Sequence, residues 1–440
     1  MSGHCRQYTA RPGAREDGEV PALPRDQVDP STLRLLAIGT DASLVRPSGV
    51  AFGDAHQRQF KYAGILGAYH MIVRTLGGDR RPIVHSAPVV TADRSGVARL
   101  AGRPRGAGRF VVHPSASRGR GAFPHDAYLL GAALQRRIGF DLVSTEDPLL
   151  CGLAGAALRA RFNLPLSVQI AGDMLDNPYW LRERRINPGL NALGKWLVRR
   201  ADSVRVVSER ERAKLLGYGV PPERVANIGW ITDFSRFDDL DGRALRERLL
   251  GPRGRVLLLF VGRLVLQKDL PTLIQAMALV ARERPDARLA IAGDGPERAP
   301  AERLVDALGI RDAVRFLGRV DYPNVPEYYA ASDLFLLPSR YEGNARVLAE
   351  AAAAGRAAVT TDVSGARDTI LEGETGRVVP VERPDLFAER VLELIADPVH
   401  LAEMGERARA HIRALYAEEK LLAQFASFWS ETAARRAPRR

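Results

Sequence analysis

The sequence predicts an α/β protein made of two Rossmann-like, doubly wound domains that face each other across a cleft. Three observations carry this. From residue 33 onward, short apolar runs alternate with helical stretches. A parallel sheet covered by helices on both sides produces that alternation, because its strands are apolar on both faces. The pattern stops in a charged stretch, 233–253, and then restarts. The chain's 440 residues also exceed one ordinary core and fit two domains of about 150–200 residues.

In the first half the runs 33–39, 69–76, 110–114, 141–145, 166–170 and 203–207 are predicted strands. Stretches 128–138, 149–162 and 190–201 between them are predicted helices. The segment 233–253 holds many charges and few large apolar residues, so it is expected to be the linker. The second half predicts strands at 256–261, 288–292, 314–317, 334–337 and 358–361. Helices are predicted at 270–284, up to 308, at 325–331 and at 345–354. A final helical stretch, 398–433, has no strand after it and is expected to cross the domain junction. The resulting division is a disordered tail (1–30), a first domain (31–232), the linker, a second domain (254–405) and a C-terminal helix returning to the first domain (406–440).

Composition limits the class. The apolar fraction is 46 %, ordinary for a globular protein. No run of about 18 apolar residues occurs, so no transmembrane helix is expected. The start of the chain lacks a basic segment followed by an apolar one, so no signal peptide is expected. The two cysteines, Cys5 and Cys151, and the absence of metal-ligand spacing among the eight histidines point to a reducing cytoplasm and to no metal. Charge is distributed unevenly. Residues 1–233 hold 33 basic and 21 acidic side chains, so +12, whereas 234–440 hold 31 of each. Seven arginines and no acid lie between Asp93 and Asp126. Such a face suits an anionic lipid surface, a phosphorylated substrate or nucleic acid; the plain alternative is a solvated Arg/Gly-rich loop in an Arg-rich composition.

Four features of the second half point at one ligand. Gly262-Arg263 and Lys268 follow the strand at 256–261, where two cations can clamp a diphosphate and offset charge on a leaving nucleotide. Gly293-Asp294-Gly295-Pro296 follows the next strand, and its glycines permit close backbone approach. Glu342-Gly343-Asn344 leads into a predicted helix whose first N–H groups suit a phosphate or sugar hydroxyl. Glu350 lies eight residues after Glu342, and a carboxylate accepts two hydrogen bonds from a vicinal diol. Val359-Thr360-Thr361 with Ser364-Gly365 is scaffold beside that helix.

The ordered run Gly262-Arg263, Lys268, Gly293-Asp294-Gly295-Pro296, Phe316-Leu317-Gly318, Ser332-Asp333-Leu334, Leu337-Pro338-Ser339, Glu342-Gly343, Glu350-Ala351, Gly355 and Gly376 resembles the retaining glycosyltransferases of family 4, which have the GT-B fold. Glu342 and Glu350 match that family's E-x7-E pattern. The resemblance spans about 150 residues, 256–398, and is looser in the first half. It implies that Arg263 and Lys268 hold the donor diphosphate. Glu342 would contact the donor sugar with Gly343 and Asn344 nearby, and Glu350 would bind the ribose. The backbone from Gly318 to Val320 would border the base. It further implies transfer with retention, with no metal and no cofactor.

The sequence departs from the family in three places. Ala171 stands where a histidine is often found near the catalytic centre, and Asp173, Glu146 and Asp147 are candidates for the acceptor-side polar group. Asn344-Ala345-Arg346 replaces the usual aromatic–glycine pair after Glu342-Gly343. The loop 48–53 lacks a Gly-Gly pair.

The expected partners are a UDP- or GDP-sugar, a sugar or lipid-linked acceptor, and an anionic membrane through the basic first domain, with no nucleic acid. The expected location is cytoplasmic, peripheral on the inner face of the plasma membrane. A nucleotide-sugar 2-epimerase and a non-catalytic nucleotide-sugar-binding protein are the alternatives. Two motifs are decoys. The run from Gly189 to Lys195 resembles a P-loop, but Trp196 stands where the magnesium-binding hydroxyl belongs. Asp239-Leu240-Asp241 lies in the charged linker.

Overall fold

The run at 33–39 becomes β1 (Arg34–Gly39), whose side chains alternate between two faces as a strand requires. Leu35 and Ala37 join one buried cluster, Leu36 and Ile38 the other. The computed structural model describes residues 28–45, 55–77, 81–86 and 109–435. The tail up to residue 27, the loop at 48–53 and the arginines from 94 to 105 lie outside these residues.

The chain continues through α1 (Ala55–Gly64), β2 (Ala68–Val73), β3 (Ile83–Ser86), β4 (Arg109–Pro114), α2 (Phe123–Ile138), β5 (Leu142–Thr145), α3 (Leu150–Phe162) and β6 (Leu166–Gln169). Then come α4 (Pro178–Glu183), α5 (Asn187–Arg200), β7 (Ser203–Val206), α6 (Glu209–Gly217) and β8 (Val225–Asn227). The eight strands form one sheet in the order β3-β4-β2-β1-β5-β6-β7-β8. Every pair is parallel except β3 against β4, an antiparallel edge that a uniformly parallel reading does not anticipate.

Within the stretch expected to be a linker, α7 (Arg243–Leu250) forms, with Leu245 and Leu249 buried. An i,i+4 pair of leucines supplies one apolar stripe, enough to dock a short helix despite its charges. The second sheet follows: β9 (Val256–Val261), α8 (Leu270–Glu283), β10 (Ala287–Ala292), α9 (Arg298–Ala307), β11 (Val314–Gly318), α10 (Val325–Ala331), β12 (Leu334–Leu337), α11 (Arg346–Ala353), β13 (Ala358–Thr361), α12 (Ala366–Thr369) and β14 (Gly376–Val379). Its six parallel strands run in the order β11-β10-β9-β12-β13-β14. Leu257, Leu258, Leu259 and Phe260 of β9 are buried to within 1 %. Each such side chain contributes about 1.5–3 kcal/mol on burial, so the apolar run at 256–261 marks a central strand.

The stretch 398–433 is not one helix. After α13 (Pro384–Ile395) come α14 (Pro398–Leu415) and α15 (Glu418–Ala434), broken at Tyr416 and Ala417. Helix α14 packs on the second domain, where a Cβ at Gly405 would lie 2.1 Å from the Gly355 carbonyl oxygen. Helix α15 packs on the first. Tyr62 of α1 meets Phe425 and Trp429 at centroid distances of 4.6 and 5.3 Å, and the hydroxyls of Thr432 and Ser203 are 2.7 Å apart. The two domains also touch directly through Ser208 and Ser364, 2.7 Å apart, and through Arg210, which donates to the Asp362 carbonyl at 2.7 Å. No helix among the described residues is long and apolar enough to cross a membrane.

Candidate functional site

In the second sheet, strand order reverses between β9 and β12. The loops that leave the carboxyl ends of strands at such a point leave a crevice for a ligand. Gly262 and Arg263 leave β9, Gly293, Asp294 and Gly295 leave β10, Arg319 and Val320 leave β11, and Glu342 and Gly343 follow β12. Three of the expected residues, Arg263, Gly343 and Asp173, line one cleft of about 700 Å³ between the domains, together with Gly172, Trp180 and Tyr341.

At the edge of the cleft Lys268 forms an ion pair with Glu342, which is 7 % exposed and also accepts a hydrogen bond from the Ser339 hydroxyl at 2.7 Å. A buried carboxylate needs such partners to stay charged. The Arg263 side chain is exposed and makes no ion pair or hydrogen bond to a described residue, while the residue's carbonyl accepts from the Val265 N–H at 3.0 Å. Its fork of donors is thus left for an anion. Gly293, with φ +150°, shows why its loop has no side chain there: a Cβ would lie 1.8 Å from the Gly262 carbonyl oxygen. Asp294 spends one oxygen on the Gly295 N–H at 2.8 Å, while Val320 is half-buried against the core.

Helix α11 starts at Arg346, one residue later than expected. Ala345 at its N-cap has φ +40°, a left-handed backbone that a glycine adopts without strain. An alanine thus occupies a left-handed turn at the start of this helix. The N–H groups of Gly343, Asn344 and Ala345 have no acceptor among the described residues. The Asn344 side chain is buried, its amide oxygen accepts from the Tyr416 hydroxyl at 2.8 Å, and its Nδ2 has no partner among the described residues. Glu350, 7 % exposed, accepts from the buried Tyr329 hydroxyl at 3.2 Å.

From the first domain, Ala171 and Gly172 come so close to Gly343 that a Cβ on it would lie 1.9 Å from the Ala171 carbonyl oxygen. Asp173, next in this loop, is 6 % exposed. It is ion-paired with Lys214 and accepts from the Asn177 amide at 3.0 Å. Glu211 also binds Lys214, at 3.0 Å. Burial, and then the charge on Asp173, push the Glu211 carboxyl up. Lys214 and Asn177 thus fix the position of the Asp173 side chain. Sequence reasoning missed Ser339, Tyr329, Tyr341 and Lys214 as partners. Only Ser339 lay inside a quoted motif, and the others are brought in by tertiary packing.

The first sheet has its own reversal between β1 and β5. Glu146 follows β5 there. It accepts from Gln59 at 3.3 Å and from the Thr40 N–H at 3.4 Å, and Gln59 in turn accepts from the Tyr69 hydroxyl at 2.5 Å. Burial pushes the Glu146 carboxyl up to about 7, against the lowering pull of Arg58 and with help from Asp41. Its folded-state value thus lies above the unfolded one, so the folded protein holds the extra proton and loses stability as pH rises between them. The melting temperature of Glu146→Gln relative to the parent is accordingly expected to rise from pH 5 to pH 7.5. A constant difference across that range would show that Glu146 is ionised throughout. Asp147 uses its Oδ1 to cap α3, accepting from the Leu149 and Cys151 N–H groups at 2.7 and 3.1 Å. The P-loop decoy lies within α5. Asp241 of the second decoy is exposed and paired with Arg243 at 2.8 Å.

Comparison with known proteins agrees with this geometry. Residues 84–229 match the family model described as Glycosyltransferase Family 4, and residues 242–411 match Glycosyl transferases group 1. An alpha-D-kanosaminyltransferase of Streptomyces kanamyceticus is 33 % identical over 275 residues, which cover 61 % of this chain and 71 % of that protein. A D-inositol 3-phosphate glycosyltransferase of Catenulispora acidiphila is 34 % identical over 287 residues, 62 % of this chain and 66 % of its own length. A GDP-mannose-dependent alpha-(1-6)-phosphatidylinositol monomannoside mannosyltransferase of Mycolicibacterium smegmatis is 32 % identical over 217 residues, 48 % of this chain and 57 % of its own. Among solved structures, sucrose-phosphate synthase from Thermosynechococcus elongatus superposes with a TM-score of 0.71 at 23 % identity, covering 91 % of this chain and all of that one. Anabaena HepE in complex with UDP gives 0.67 at 18 %, covering 90 % of this chain and all of HepE. The two sheets and their facing cleft are thus the GT-B fold, and the chain belongs to the family 4 glycosyltransferases.

Proposed function

We propose that the protein transfers a hexose, with retention and without a metal, from a UDP- or GDP-sugar to a lipid-linked or polysaccharide acceptor in cell-envelope glycan synthesis. The observation that carries this is the unpartnered Arg263 in the same cleft as Gly343, with the buried Lys268–Glu342 pair beside it. Arg263 and Lys268 take the diphosphate, and Glu342 with the Gly343 backbone takes the sugar. Glu350 takes the ribose, and Gly293, Asp294, Gly295, Asn344 and Val320 shape the rest of the donor pocket. Residues 254–405 bind the donor and 31–232 the acceptor, with 233–253 as the connection and 406–440 bridging both. Asp173, held by Lys214, faces the acceptor side.

The relatives named above are transferases, two acting on inositol-containing acceptors by their names, which favours transfer over epimerisation or passive binding. The acceptor reading places the protein at the inner face of the plasma membrane, held there through the basic first domain.

Binding of UDP, GDP and ADP, followed as a shift in melting temperature, tests the donor site, because a ligand that binds only the folded state raises it. One nucleotide is expected to stabilise the protein. Arg263→Ala should weaken that nucleotide by about 10- to 100-fold, the worth of a hydrogen-bonded charge. No shift with any of the three would end the donor assignment.

A further inference from the structure

Helix α5 carries an exposed stripe that no described element covers. Pro188, Ala192 and Trp196 recur every four residues on its outer face. Ile186 precedes them, and Ile186 and Trp196 are 63 % and 43 % exposed. A helix in water normally places polar residues on such a face. Arginines flank the stripe: Arg182, Arg184 and Arg185 at one end, Arg199 and Arg200 at the other, all exposed.

The nearby acids do not neutralise them. Glu183 accepts from the Tyr341 hydroxyl, and Asp176 is bound to Lys195 at 2.9 Å and to Asn191 at 2.7 Å. None of the five arginines has an ion pair to a described residue. Arg199 donates to the Tyr218 carbonyl at 2.9 Å, and Arg200 lies over the Trp196 ring at 4.4 Å.

We infer that this face of α4–α5 docks on an anionic lipid bilayer. Trp196 and Ile186 would enter the headgroup–acyl boundary and the arginines would meet lipid phosphates. An aromatic ring flanked by guanidinium groups is the chemistry of that interface. A protein partner would need its own acidic rim to match five unopposed cations, whereas an anionic leaflet presents one everywhere. The same segment borders the cleft through Trp180, Glu183 and Arg184. A docked protein therefore holds its cleft mouth beside the leaflet, where a lipid-linked acceptor lies. This rests on the acceptor proposed above, and it assigns the membrane contact to particular residues.

The test is co-sedimentation of the full chain with phosphatidylcholine vesicles, with and without phosphatidylglycerol, alongside the nucleotide melting shift on the same samples. The parent is expected to bind only the anionic vesicles, and less at high salt. Ile186→Ser with Trp196→Ser, and separately Arg182→Glu with Arg185→Glu, should each weaken that binding at least about tenfold, with the nucleotide shift unchanged. The inference is overturned if the parent ignores anionic vesicles or if both double variants bind like the parent. It is equally overturned if light scattering shows a dimer that the Ile186/Trp196 variant splits, since a second copy then covers the face. Loss of the nucleotide shift in the parent, with vesicle binding intact, would count against the donor site and not against this surface.

Discussion

Glu342→Gln is expected to lower the rate of sugar transfer by about 10²- to 10³-fold while leaving nucleotide affinity within a few-fold. The carboxylate is buried, held by Lys268 and by the Ser339 hydroxyl at 2.7 Å, so its position is fixed before any ligand arrives. A preorganised charge of this kind acts on charge that develops in the transition state, and removing one such group typically costs that much. Glutamine keeps the shape and one acceptor oxygen but leaves Lys268 without its counter-charge. Free UDP or GDP lacks the sugar that Glu342 is proposed to meet, so its melting shift should survive. Steady-state kinetics with the donor identified by the melting screen checks this. A variant that turns over at the parent's rate would remove Glu342 from the chemistry, and one that loses nucleotide binding altogether would make it a structural residue.

The second large effect is expected at Gly343. Its neighbours across the cleft are backbone atoms, the Ala171 carbonyl at 1.9 Å from a Cβ and the Gly172 Cα at 2.8 Å. Backbone cannot swing aside as a long side chain can, so Gly343→Ala must push the two domains apart or displace the loop that carries Asp173. A displacement near 1 Å in a site that depends on positioning costs on the order of 10²-fold. kcat/KM should fall by about that factor, with the far-ultraviolet spectrum unchanged. Gly64→Ala is the control, because nothing lies within 4 Å of its added Cβ. Equal activity of Gly343→Ala and the parent would mean that this closed approach is not the working arrangement.

These two residues also show what the sequence could and could not tell. Glu342 was legible because Arg263, Lys268, Glu342 and Glu350 come in one ordered run of segments that follow apolar strands. Central strands such as β9 were legible because they are buried on both faces. The edge strands β3, β8 and β14 were not. They are three or four residues long, and β8 and β14 carry polar or half-buried positions, so period and composition give little signal. Helix α7 was hidden because charged residues surround its Leu245 and Leu249. The contacts of Gly343 with Ala171, of Asp173 with Lys214 and of Tyr341 with Glu183 join residues 41 to 172 positions apart. No local pattern encodes such distances, so these contacts appear only in the folded structure.

Helix α15 has a consequence for how the chain matures. The aromatic side chains that seal α1, Phe425 and Trp429, are made some 360 residues after Tyr62. During synthesis on the ribosome, which adds residues from the N-terminus, the first sheet must wait with that apolar patch open until the residues of α15 have emerged. A nascent chain halted in the second domain therefore still carries a sticky, unfinished first domain, the kind of surface that chaperones shield.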